Sequence, residues 1–134
     1  MLCLYAHAGP ERLAIPAGAV VEVIPAVRLH PAAGVAGVFR YRGAVVPVLD
    51  VYKLVTGEPC PVKLHARIVV VDDPRLGLLV ERVSELKELP AADGGYATGA
   101  AGTGLGPLTA DADGVVRRLD LARLAGLAFR EATP

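Results

Sequence analysis

Tryptophan is absent from this chain, phenylalanine occurs twice, and aromatic residues make up only 4% of its 134 positions. Its core must therefore come from the Val, Leu, Ile and Ala that dominate a 53% hydrophobic fraction. Cysteine is scarce too. Cys3 and Cys60 lack CxxC spacing, which implies neither a disulfide framework nor a zinc site. Fourteen basic and fourteen acidic side chains leave a formal charge of zero, against a nucleic-acid binder working by bulk electrostatics and against a polybasic membrane anchor. The apolar runs are a few residues long, far short of the roughly 20 a membrane helix needs, so no direct membrane insertion is expected. Met1 to Ala6 carries no basic n-region, so no secretory signal is expected and the cytoplasm is the expected compartment.

Catalytic constellations are equally thin. Ser84 is the sole serine, stands outside any GxSxG, and has no histidine near it in sequence. His7, His30 and His65 are scattered without HxxxH or HxH spacing, so no metal is expected. Six glycines between Asp93 and Gly106 read as a surface loop. Gly99, Gly102, Gly104 and Gly106 could cradle a phosphate, but the Lys-Ser/Thr of a P-loop and the GxGxxG of a dinucleotide site are missing. The chain is expected to be no enzyme and to carry no cofactor.

What is present is a succession of short apolar runs punctuated by Gly and Pro. Leu2 to Ala8 is a strand ended by Gly9-Pro10, and Arg12 to Ile15 a second stopped by Pro16. Ala19 to Ile24 is apolar except for Glu22, and Ala26 to His30 is a short extended piece between Pro25 and Pro31. The stretch Gly34 to Gly57 then gives a hairpin, with the strand Phe39-Arg40-Tyr41-Arg42, a turn at Arg42-Gly43-Ala44, and the run Ala44 to Leu49. That run is apolar on both faces, so it is predicted to be a central strand, with Pro47 at a bulge or a gap in pairing. Asp50 is predicted to cap a short helix over Val51 to Val55 that Gly57 ends. Ala66 to Asp72 is another central strand, Leu76 to Val83 its antiparallel neighbour, and Leu86 to Leu89 an extension of that ribbon. Leu108 to Ala110 and Val115 to Leu119 make a last hairpin through Asp113-Gly114.

The pattern Val45-Val46-x-x-Leu49-Asp50-x-x-x-Leu54 recurs seventy residues later as Val115-Val116-x-x-Leu119-Asp120-x-x-x-Leu124. Self-similarity of strand, Asp cap and helix suggests two similar halves, approximately 1–62 and 63–134. Many short strands with Gly and Pro turns favour closed sheets, which remove exposed edges. The expected architecture is all-β: one domain of two five-stranded SH3-like barrels packed together, with short helices after the Leu-Asp motifs and the first strand or last helix free to cross between halves. Glu22 and Arg42 are charges set inside apolar strand runs and need partners. They either pair with each other or point to solvent.

Gly37-Val38, Arg42-Gly43 and Val46-Pro47-Val48-Leu49-Asp50 resemble the core of the CheW-like domain, the adaptor that couples chemoreceptors to the histidine kinase CheA. Ile15-Pro16, Val20 to Ile24, Leu78 to Val83 and Leu119-Asp120-Leu121 are similar in the same order. The resemblance implies the same double barrel, no catalysis, and two partners: the regulatory domain of a CheA-type kinase and the tip of a methyl-accepting chemoreceptor. It implies recruitment to membrane-associated receptor arrays, and a monomer or weak oligomer in isolation. The candidate partner contacts are Val20, Glu22, Ile24, Arg42, Gly43, Val80 and Leu86, with Gly37, Pro47, Asp50 and Asp120 as structural positions. Two departures from the family pattern stand out: Arg40-Tyr41 where Asn-Leu is frequent, and Glu81 where Asp is common. The alternatives are a nucleic-acid-binding barrel using the basic and aromatic strand, and a small-ligand carrier with the glycine-rich loop as a lid.

Overall fold

The apolar runs and their turns divide the computed structural model, which describes residues 1–26, 36–72, 75–90 and 105–132, into ten strands, a 3-10 turn and two α-helices. In chain order these are β1 (Leu2–Ala8), β2 (Glu11–Pro16), the 3-10 turn Ala17–Ala19, β3 (Val20–Pro25), β4 (Ala36–Tyr41), β5 (Ala44–Asp50) and α1 (Val51–Thr56). There follow β6 (Arg67–Val71), β7 (Leu76–Val80), β8 (Arg82–Glu88), β9 (Leu105–Asp111), β10 (Gly114–Leu119) and α2 (Leu121–Ala132). The piece expected after Pro25 and most of the glycine-rich segment lie outside the described residues.

The strands form two five-stranded sheets, β3-β6-β7-β5-β4 and β8-β1-β2-β10-β9, which fit SH3-like barrel subdomains. We call them the internal barrel, a continuous stretch of chain, and the terminal barrel, assembled from both ends. The boundary expected near residue 62 does not separate them. β6 and β7 complete the internal sheet, while β1 and β2 complete the terminal one. The expected strand Leu76 to Val83 is broken at Glu81: β7 stays with β6, and β8 crosses over to pair with β1. Leu86 to Leu89 therefore does not extend the β6–β7 ribbon. Burial explains the break, because all five residues of β7 are buried whereas β8 is an edge strand with most side chains exposed.

The two barrels share one strand plan in circularly permuted order. β3-β4-β5-α1-β6-β7 in one corresponds to β8-β9-β10-α2 plus the N-terminal β1-β2 in the other. Even the registers agree. Each sheet has one parallel ladder, Val48 opposite Gly77 in the internal barrel and Arg118 opposite Ala14 in the terminal one.

β1, β2, β6 and β7 are buried on both faces, which is why they read as almost unbroken apolar runs. Leu4, Ala6, Leu13 and Ile15 share a central cluster with Val69, Leu76, Leu78 and Val80, so the largest apolar cluster lies between the barrels. Their strand neighbours point the other way. Ile68, Val70 and Leu79 join Phe39, Tyr41, Val46 and Val48 inside the internal barrel, and Cys3, Tyr5 and Ala14 join Leu89 and Val116 inside the terminal one. Each such aliphatic side chain stabilises the fold by about 1.5–3 kcal/mol.

The helices tie the two barrels together. α1 leaves β5 and packs on β1 and β7; α2 leaves β10, packs on β4 and β5, and adds Leu124 and Ala128 to the central cluster. Asp50 caps α1 by accepting from the Lys53 N–H at 2.9 Å, and its second oxygen accepts from the Cys60 N–H at 2.9 Å. Gly57, at φ 84°, ends α1 in the left-handed conformation glycine favours. Asp120 caps α2 through the Arg123 N–H at 3.2 Å. β5 is central in pairing, but its two-sided burial fails at its start, where Val45 is 64% exposed. Pairing with β7 begins only at Val48, which leaves at Pro47 the gap that a missing N–H requires.

Candidate functional site

β4 and β5 meet in a two-residue turn, with Tyr41 opposite Ala44 and both intervening residues at positive φ, Arg42 at 49° and Gly43 at 81°. Tight hairpins favour this mirror-image turn, and glycine takes its second place without strain. Arginine in the first place is unusual. β3 carries a bulge between Val20 and Glu22, and Glu22 reaches the turn. Its Oε1 accepts from Arg42 Nη2 at 2.9 Å and from the Tyr41 hydroxyl at 2.5 Å. Of the two alternatives left open by the sequence, the pair forms, through one guanidinium nitrogen rather than both, with Tyr41 as a third member.

A second ion pair completes the cluster. Arg75 grips Asp72 with two bonds of 3.0 and 3.1 Å, and its guanidinium lies 5.5 Å from the Tyr41 ring centre, with that of Arg42 at 5.1 Å. The Tyr41 hydrogen bond, then Arg42, holds the Glu22 carboxyl below its ordinary range, and the same bond to Glu22 raises the Tyr41 hydroxyl. Side-chain exposure is 66% for Arg42 and 40% for Glu22, so the pair is presented to solvent.

The other candidate contacts fall in different places. Gly43 lies in the turn beside Arg42. Val20 and Ile24 are half-buried, the first against the central cluster and the second against the internal core. Val80 is 0% exposed in the central cluster, so it serves packing and cannot touch a partner directly. Leu86 is 58% exposed but belongs to the terminal barrel, opposite Leu4 on β1. Sequence reasoning missed Val23 and Val45, the exposed aliphatic residues of β3 and β5, at 37% and 64%. Strand alternation beside Glu22 could have identified Val23. Gly37 lies opposite Val48 in the hairpin ladder.

The terminal barrel has its own tip network. Asp111 accepts from Arg12 Nη1 and Nη2 at 2.9 and 2.6 Å and from the Tyr5 hydroxyl at 3.0 Å. Arg12, above all, holds the Asp111 carboxyl well below the usual carboxylate range. Ser84 also gains a neighbour that its sequence context did not show, because β1 places His7 Nε2 3.2 Å from its Oγ. Burial, then Arg82, lowers the His7 value. Burial pushes the Cys60 thiol up to about 12, which makes it a poor nucleophile. Among the described residues, no group of three His, Cys, Asp or Glu could hold a metal, and no helix is long and apolar enough to cross a membrane.

A family model for the CheW-like domain matches residues 3–128. Among solved structures, the chain is similar to the scaffolding protein TtCheW from Thermoanaerobacter tengcongensis, with a TM-score of 0.71 at 18% identity, over 90% of this chain and 84% of that one. Curated protein sequences gave no significant match.

Proposed function

This chain belongs to the CheW-like domain family, and on that premise we propose that it is a non-catalytic scaffold coupling chemoreceptors to a CheA-type histidine kinase. Its partners are the kinase regulatory domain and the tip of a methyl-accepting receptor, and it acts in the cytoplasm at membrane-associated arrays. The observation that carries this reading is Arg42. A non-glycine residue at positive φ costs on the order of 1 kcal/mol, and Asn, Asp or Gly would relieve that strain. Here the position holds an arginine whose side chain is 66% exposed, oriented by Glu22 and stacked on Tyr41. Only one guanidinium nitrogen is used by Glu22. The remaining donors suit a carboxylate or carbonyl on a partner, and Val23 and Val45 are exposed aliphatic residues of the same barrel. A fixed positive charge gives specificity more than raw affinity.

Pull-down from the source cells with the intact chain as bait tests the reading. A co-purifying histidine kinase together with a methylated receptor is the expected result. Recovery of neither, from cells shown to express both, would contradict it.

A further inference from the structure

Because the barrels share their registers, their interiors can be compared position by position. Phe39 faces Val46 across one hairpin and Thr109 faces Val116 across the other. Leu79 faces Ile68, and Pro16 faces Cys3. With Val48 and Arg118 equivalent in the parallel ladders, the terminal barrel has Thr109 for Phe39, Pro16 for Leu79 and Arg118 for Val48. Thr109 and Pro16 are smaller than their counterparts and Arg118 is larger, and the terminal barrel holds a cavity of about 220 Å³ with Cys3, Ala14, Pro16, Gly106, Pro107 and Arg118 in its wall. Glycine is required at position 106, since a Cβ there would stand 2.7 Å from the Arg118 carbonyl oxygen.

Arg118 is a charge set where its counterpart is a valine, and it is only 8% exposed. Its Nε donates to Thr109 Oγ1 at 3.0 Å and its Nη2 to the Pro90 carbonyl, both neutral acceptors. No carboxylate among the described residues pairs with it, although Arg12 and Arg117 in the same barrel have Asp111 and Glu11. Asp120, the one acid in the cavity wall, is engaged by Arg123 at 3.4 Å. A buried cation with no counter-charge among the described residues is held there only by neutral acceptors, and an arginine facing neutral groups is suited to receive an anion.

We propose that the terminal barrel binds a small monocarboxylate with a compact apolar body, its carboxylate on Arg118 and its body in the space beside Ala14 and Pro16. A dry cavity of about 150 Å³ holds benzene, so this one admits roughly six to ten non-hydrogen atoms. The site lies in the barrel opposite the Glu22–Arg42 surface and does not rest on the scaffold reading.

The test uses benzoate as probe and benzyl alcohol as its neutral counterpart, titrated into the intact chain and followed by melting temperature and NMR shifts. Benzoate should raise the melting temperature saturably, and benzyl alcohol should bind about tenfold more weakly or worse, because it forfeits the charge-assisted bond. Arg118→Met should abolish the preference between the two probes. In case that variant folds poorly, Ala14→Val narrows the cavity and leaves the charge in place; it should weaken benzoate binding about tenfold while remaining folded. No response to benzoate up to about 10 mM, equal binding of the two probes, or undiminished binding by folded Ala14→Val would overturn the proposal.

Discussion

Each barrel carries a tyrosine, a carboxylate and an arginine at one tip, and the two tips differ chiefly in how much water they see. In the terminal barrel, Arg12 and Asp111 are 21% and 10% exposed, joined by two hydrogen bonds, with Tyr5 on the same carboxylate. In the internal barrel, Arg42 and Glu22 are 66% and 40% exposed and share one bond. Low dielectric strengthens a satisfied network and makes an unsatisfied one costly, whereas an exposed pair contributes little to stability. The same chemistry therefore holds a hairpin in place at one tip and stays exposed to solvent at the other.

The two barrels share one core, and the largest effect should come from breaking it. Leu78 is 0% exposed between the barrels, so Leu78→Ala should destabilise by about 3–5 kcal/mol. Urea melts followed by probes in each barrel should still coincide; separate transitions would show that the barrels are independent domains.

The next effect separates the tips. Asp111→Ala leaves the Arg12 guanidinium and Tyr5 hydroxyl without their acceptor and should lose about 2–3 kcal/mol. Arg42→Ala should shift the melt far less. Similar losses for the two variants would erase the distinction. Acid titration sharpens it. The Asp111 value is depressed in the fold, so its contribution is fully present above the unfolded carboxylate value near pH ~4 and is lost as pH falls below that toward the folded value. Asp111→Asn should therefore flatten the parent's loss of stability between about pH 4 and 2, as read from melts across that range.

The smallest effects are at the helix caps. Asp50 accepts from two backbone N–H groups and Asp120 from one, so Asp50→Ala should lose about 1–2 kcal/mol and Asp120→Ala about 0.5–1. Equal thermal shifts would mean that the Cys60 bond contributes nothing.

These caps were readable from sequence because Asp before an apolar turn and glycine after it act locally, and the seventy-residue recurrence placed the second by the first. The β4–β5 hairpin was readable for the same reason. The division of strands between barrels was not, because it depends on ladders between distant residues, β5 with β7 and β2 with β10. Leu76 to Val83 reads as one strand, and only the crossover at Glu81, whose N–H donates to the His7 carbonyl at 3.0 Å, sends β8 to the other sheet. At the candidate site, sequence singled out Glu22 and Arg42 as charges needing partners but left their pairing open. Tyr41 was missed because alternation assigns it to a face without saying which carboxylate lies across the barrel. Val80 reads as a candidate contact from sequence although it is buried, because an apolar residue in a strand gives no sign of which side is covered.

The exposed tip as a partner surface is tested most directly by calorimetry of Arg42→Glu against the kinase regulatory domain and the receptor tip, with circular dichroism and a melt confirming the fold. A folded variant whose affinity for at least one partner falls about tenfold or more is the expected result. Unchanged affinity for both partners in a folded Arg42→Glu variant would contradict it and leave the Glu22–Arg42 pair as a structural feature of the hairpin.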